Sequence, residues 1–193
     1  FDVHASQGAV LNDGLKEILE SSAIVKLFFD CRHDADALQH LHKVRLSGVC
    51  DLQLLDVMSR KDNKEEQLER LHKCLHSGNV EGSPHLYKNV IKLSGLNSCL
   101  AALGLDSLEL KEHVRAKFRL DNDFWFKRPL PPDAVKYAAD DVQSLFALLD
   151  GLAAARSEDA MMLVHNPTLR EASDRYVDIF RCRDTLDELV YIE

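Results

Sequence analysis

Leu130-Pro-Pro-Asp-Ala-Val-Lys-Tyr-Ala-Ala-Asp-Asp-Val-Gln-Ser-Leu-Phe-Ala-Leu-Leu149 is the stretch on which the reading of this chain turns. Pro131 and Pro132 forbid continuation of whatever precedes them, and Asp133 can accept the free N–H groups of a new helix. The sequence therefore predicts a helix from Asp133. Its expected apolar stripe runs Ala134, Ala138, Val142, Leu145 and Leu149. Tyr137 and Asp141, four residues apart, are expected one above the other along the edge of that stripe, so that a phenol and a carboxylate face one point. Spacing alone also fits a helix with a half-buried tyrosine and a solvated aspartate.

Working outward, Phe124-Trp-Phe-Lys-Arg-Pro-Leu130 precedes the helix. Together with Tyr-Ala-Ala-Asp-Asp-Val at 137–142 it resembles the third motif of the RNase D-like 3′-5′ exonucleases, the DEDDy group. In that family the motif is Tyr, three residues, Asp and then an aliphatic position, here Tyr137, Asp141 and Val142. A second site of resemblance lies upstream. Ile24 to Phe29 is rich in β-branched and aromatic residues and predicts a buried parallel strand. It runs into Asp30-Cys-Arg-His-Asp34-Ala-Asp-Ala-Leu38, with a helix expected through Leu41. Strand end to helix start is where α/β sheets place ligands. By composition alone Asp30 and Asp34 could equally be helix-start carboxylates favoured by the local dipole. The run resembles the family's second motif, in which a strand ends in Lys-Val-x-His and an Asp five residues beyond the His opens a helix with Leu or Phe four residues later. Asp34 and Leu38 fit. Phe29 stands where the His usually does. The Asp-Cys-Arg run is most similar to the branch containing exonuclease 3′-5′ domain-containing protein 1 and Egalitarian.

The resemblance spans about residues 1 to 150. It implies an α/β fold, a ribonuclease H-like three-layer exonuclease domain lacking its first strands. Helices from 151 to 193 would form an extension packed on the domain or on a partner. Residues 1–3 read as the end of a strand and Leu46 to Leu52 as another, with Asp51-Leu52-Gln53 at the family's Asp-Thr-Gln segment. Ser94 to Gly104 resembles a family helix, and Gly104 is a natural C-cap. The charged run 61–70 and the loop-like 77–86 suggest an insertion over about 60–92. Gly151 is expected to break the helix, with further helices at 153–165 and 168–183.

The 193 residues, 46% of them hydrophobic, suffice for one domain with a real core. No apolar run approaches the roughly 20 residues of a membrane span, so no membrane partner is expected. Cys31, Cys50, Cys74, Cys99 and Cys182 are odd in number and lack Cys-x-x-Cys spacing, which predicts reduced thiols in an intracellular compartment and no zinc site. Cytoplasm, nucleus and organelle are not distinguished. His40 and His42 point apart on a helix and are expected in solvent. The chain carries a net charge of −8, yet 111–128 holds six Lys or Arg against three acids, a balance of plus three. A nucleic acid would be met on that side, with Lys127 and Arg128 on phosphates. Trp125 is a candidate for base stacking, and a Trp-Phe cluster beside a proline is equally at home in a core. A small-molecule α/β enzyme has no Gly-rich phosphate loop here to support it.

What the resemblance implies about chemistry is a two-metal phosphodiester hydrolysis. Four carboxylates hold Mg²⁺ or Mn²⁺ ions about 3.5–4 Å apart. Asp141 would hold the ion that activates water, Asp34 would support the second, and Tyr137 would orient the nucleophile. The other two carboxylates, an Asp-x-Glu pair, lie on a first strand that this sequence lacks. Asp2, with His4 at the Glu place, belongs to a later strand. By itself the chain is then expected to bind no metal tightly. It also leaves an open sheet edge, to be covered by an upstream segment or a protein partner. Two functions follow. One is a 3′-5′ exonuclease acting on RNA or DNA ends, single-stranded RNA ahead of DNA, with Asp-x-Glu supplied upstream. The other is a catalytically silent relative serving as an RNA-binding or assembly subunit, toward which Phe29 leans.

Overall fold

The computed structural model describes residues 1–60, 71, 82, 91–105, 110–121 and 123–179. The strand expected at residues 1–3 is instead a turn, closed by bonds from Ser6 and Gly8 N–H to the carbonyls of Asp2 and Val3. A π-helical turn, Leu11–Leu15, runs into α1, Lys16–Glu20. The strand expected from Ile24 narrows to β1, Lys26–Phe28, and is half-buried rather than buried. Asp30 then adopts a left-handed φ of 59° and turns the chain into α2, Arg32–His42, which ends at Lys43 with φ 54°. The second strand is β2, Val49–Asp51, buried at all three positions. Asp51 caps α3, Leu52–Ser59, by accepting the Gln53 N–H at 2.9 Å. Residues 52 onward are thus helical, because the Asp side chain satisfies a first-turn donor that a continuing strand would leave to a neighbour.

β1 and β2 are parallel, in the register Lys26 to Val49, Leu27 to Cys50 and Phe28 to Asp51. Among the described residues no strand lies along the other edge of β1. The rest is helical: α4, Leu96–Ala102; α5, Leu110–Leu120; a 3-10 turn, Phe124–Phe126; α6, Pro132–Arg156; α7, Ala160–Val164; and α8, Pro167–Asp178. Gly104 stops α4 at φ 69°, as its type suggests. α8 packs across β2, and α3 lies against α6. The main core joins β2, α3, α4 and the second half of α6 with α7 and Leu169 of α8.

α6 departs from expectation in three ways. Pro132, not Asp133, is its first residue, and Asp133 makes no N-cap; it accepts from Ala134 N–H at 3.0 Å and pairs with Lys117. The inward face is Ala134, Tyr137, Asp141, Leu145, Leu148 and Leu152, while Ala138 and Val142 of the expected stripe are exposed. Gly151 does not break the helix. A Cβ there would sit 3.0 Å from Leu103 Cδ1 and 3.3 Å from Leu105 Cδ1, so its missing side chain lets the chain after α4 pack closely against α6. His40 is largely covered, its Nε2 3.6 Å from Asp36 Oδ1. Cys31, Cys50 and Cys99 are buried free thiols. The insertion region falls almost wholly outside the described residues, as do Cys74, Cys182 and residues 180–193.

Candidate functional site

A cleft of about 530 Å³ opens beside β1. Four segments bring polar side chains to it: the β1–α2 turn with the start of α2 supplies Asp30 and Asp34, α3 supplies Gln53, α6 supplies Tyr137 and Asp141, and α5 supplies Arg115. The two motifs, some hundred residues apart in sequence, thus line one space. Leu27, Phe28, Leu96 and Leu145 give it an apolar wall.

Asp34 sits in the first turn of α2, open to cleft water yet ringed by protein. Burial, followed by the nearby Asp30 carboxylate, pushes its carboxyl above the usual range. Asp30 is itself engaged: Arg32 donates to both of its oxygens, at 2.6 and 2.8 Å. The turn is fixed from below by Asp51, which is fully buried. Its carboxylate accepts from Cys31 N–H at 2.8 Å, Asp30 N–H at 3.2 Å and Gln53 N–H at 2.9 Å. Burial outweighs these three bonds and raises the Asp51 carboxyl.

Tyr137 is held by aromatic neighbours. Its ring centroid lies 6.5 Å from Phe118, edge-on, and 6.0 Å from Trp125. Trp125 in turn meets Phe124 edge-to-face at 5.2 Å. These rings, with buried Val114 and Ala134, form a small separate core that carries the phenol. Trp125, Lys127 and Arg128 are not among the cleft-lining residues. Lys127 pairs with Asp121, while Arg128 pairs with Asp2 at 2.6 Å and donates to the Trp125 and Lys127 carbonyls at 2.8 Å.

Asp34 and Asp141 are hard oxygen donors, the right kind for Mg²⁺ or Mn²⁺. In number they do not fit a two-metal site, because Asp30 is occupied by Arg32 and, among the described residues, no three His, Cys, Asp or Glu side chains group as a metal site. Two residues that sequence reasoning did not single out for the site matter here. Asp51 reads in sequence as part of the expected strand Leu46 to Leu52, at the family's Asp-Thr-Gln segment, and Arg115 as one cation of a basic run. Among the described residues no helix is long and apolar enough to cross a membrane.

A family model described as 3′-5′ exonuclease matches residues 1–155. The chain is 28% identical over 193 residues to the piRNA biogenesis protein EXD1 of Xenopus laevis, covering 98% of this chain and 36% of that protein. It is 31% identical over 71 residues to the Egalitarian protein homolog of Caenorhabditis elegans, covering 37% of this chain and 12% of that protein. The crystal structure of the Trypanosoma brucei RNase D: GMP complex superimposes with a TM-score of 0.62 at 25% identity, over 89% of this chain and 43% of that one. The chain therefore spans little more than a third of its Xenopus relative and under half of the trypanosomal enzyme. With the matched model reaching over most of its length and both motifs lining one cleft, the chain belongs to the 3′-5′ exonuclease family.

Proposed function

We propose that this chain is the nucleic-acid-handling exonuclease module of a larger protein, with a ribonuclease H-like three-layer domain over about 1–150 and helices beyond, and that it takes the 3′ end of single-stranded RNA into the cleft beside β1. The observation that carries this reading is the meeting of Asp34, Tyr137 and Asp141 around one cavity of nucleotide size. RNA is preferred over DNA because the Xenopus relative is named for piRNA biogenesis and the trypanosomal one is an RNase. In this reading Asp34 and Asp141 are the metal-facing carboxylates and Tyr137 positions the attacking water. Lys127, Arg128 and Trp125 lie farther along the strand's path.

Hydrolysis requires more than the described residues offer. A divalent cation would polarise the phosphate and generate the nucleophile, and two carboxylates do not hold a pair of ions against water. Phosphodiester cleavage is therefore assigned to the full protein on the condition that an Asp-x-Glu strand joins the open edge of β1. The second reading is a catalytically silent, RNA-binding or assembly subunit. Phe29 at the place of the family's His, and the short donor set, favour it.

The deciding experiment is Mg²⁺- or Mn²⁺-dependent trimming of 5′-labelled single-stranded RNA by the full protein, with Asp141→Ala alongside. Trimming abolished by the substitution supports the nuclease. RNA binding without trimming in either protein supports the silent module. Absence of RNA binding overturns the nuclease and the RNA-binding module and leaves only the assembly role.

A further inference from the structure

Phosphate recognition in this cleft faces an electrostatic obstacle, because Asp30, Asp34 and Asp141 all line it and repel an anion. Among the described residues that line it, Arg115 is the one Lys or Arg. Of the other cations on the basic side, Lys117 pairs with Asp133, Lys127 with Asp121 and Arg128 with Asp2. Position on α5 is what brings Arg115 to the cleft. Val114, fully buried, anchors the helix against the aromatic core that holds Tyr137, and this leaves the next residue half-buried at the cleft wall. Arg115 has interactions of its own within the protein. A guanidinium carries five N–H donors, however, and can serve an internal acceptor and a phosphate together.

We propose that Arg115 is the phosphate anchor of the cleft: it binds the phosphate of the terminal nucleotide directly and without a metal ion, while the carboxylates opposite leave the nucleoside side of that phosphate to be set by the apolar wall. The assignment rests on the nucleic-acid reading above. It goes beyond it by naming the group that recognises the anion and by making nucleotide binding independent of Mg²⁺.

The test is calorimetric titration of the full protein in EDTA with GMP and with guanosine, comparing wild type, Arg115→Ala and Arg115→Lys. Losing a charge-assisted bidentate contact weakens GMP binding by roughly tenfold to a hundredfold. Lysine restores part of the affinity, since it keeps the charge and loses the fork. Guanosine binding is unchanged by either substitution, a readout that a merely structural arginine would not spare. Equal GMP affinity in wild type and Arg115→Ala, or equal losses for GMP and guanosine, overturns the assignment and leaves the nucleic-acid reading standing. If the wild type binds neither GMP nor single-stranded RNA, that reading falls and the assignment with it.

Discussion

Asp51→Ala tests the structural root of the site. The carboxylate accepts three backbone N–H groups, of which those of Cys31 and Gln53 are buried and that of Asp30 is partly buried. Alanine leaves the two buried donors without a partner, at a cost of about 1–3 kcal/mol each. Relief from burying a charge that burial already disfavours offsets part of this. The expected net loss is about 2–4 kcal/mol. Urea unfolding should show it as a lower midpoint at unchanged slope. Native-state hydrogen exchange adds the local readout, with the amides of Asp30, Cys31 and Gln53 losing protection ahead of the sheet around Cys50. A midpoint within about 0.5 kcal/mol of wild type, the scale of a plain surface substitution, would show that the β1–α2 turn holds itself and would refute the clamp.

Gly151→Val should destabilise by roughly 1–3 kcal/mol, because its Cβ alone would lie 3.0 and 3.3 Å from Leu103 and Leu105 Cδ1 before the branch is added; a melting temperature equal to wild type would contradict that close approach. Asp34→Asn should raise the melting temperature at pH 7 in EDTA. The folded state keeps this proton above the usual 3.8, so wild-type stability falls as pH rises through that window and the ionised form is the costly one. The gain should vanish below pH 3.8, and a variant that melts below wild type at pH 7 would reverse the sign. Lys127→Ala should change single-stranded RNA affinity by no more than about twofold, since an exposed, paired rim charge contributes little. A tenfold loss in filter binding would make that rim a principal anchor of the strand rather than a weak contact along its path.

Which parts of this were legible beforehand follows from the range of the interactions involved. Asp34 could be placed because a β-rich run followed by Asp and a helical period is a local signal, and Tyr137 with Asp141 because their spacing is fixed by the helix itself. Both motifs named the family before any coordinates. The inward face of α6 was not legible from hydrophobicity, because it substitutes a phenol and a carboxylate at the positions where an ordinary buried stripe would carry apolar groups. Val142, apolar and at a plausible period, is exposed in consequence. Gly151 misled for a different reason: its neighbours Leu103 and Leu105 come from another element, and only their approach explains a glycine inside a continuing helix. The role of Asp51 spans 20 residues to Cys31 and 122 to Ser173, distances at which sequence pattern is silent.

Those long contacts tie the cleft to a part of the chain beyond the matched exonuclease segment, which ends at 155. Asp51 donates its own N–H to Ser173 Oγ at 3.1 Å, and that hydroxyl, fully buried, donates to Leu169 O at 2.8 Å within α8. Two residues from Asp30, Arg32 lies 4.9 Å over the ring of Tyr176, also on α8. Arg32 grips Asp30 while Asp51 grips the Asp30 and Cys31 amides, so both handles on the turn lead to the same helix. A left-handed Asp30 without a glycine's freedom needs such support, since a non-glycine residue in that region costs about 1–3 kcal/mol unless its surroundings determine it. The physical unit that positions Asp34 therefore runs through α8, and a boundary drawn at the end of the family match would cut the cleft from the element that braces it.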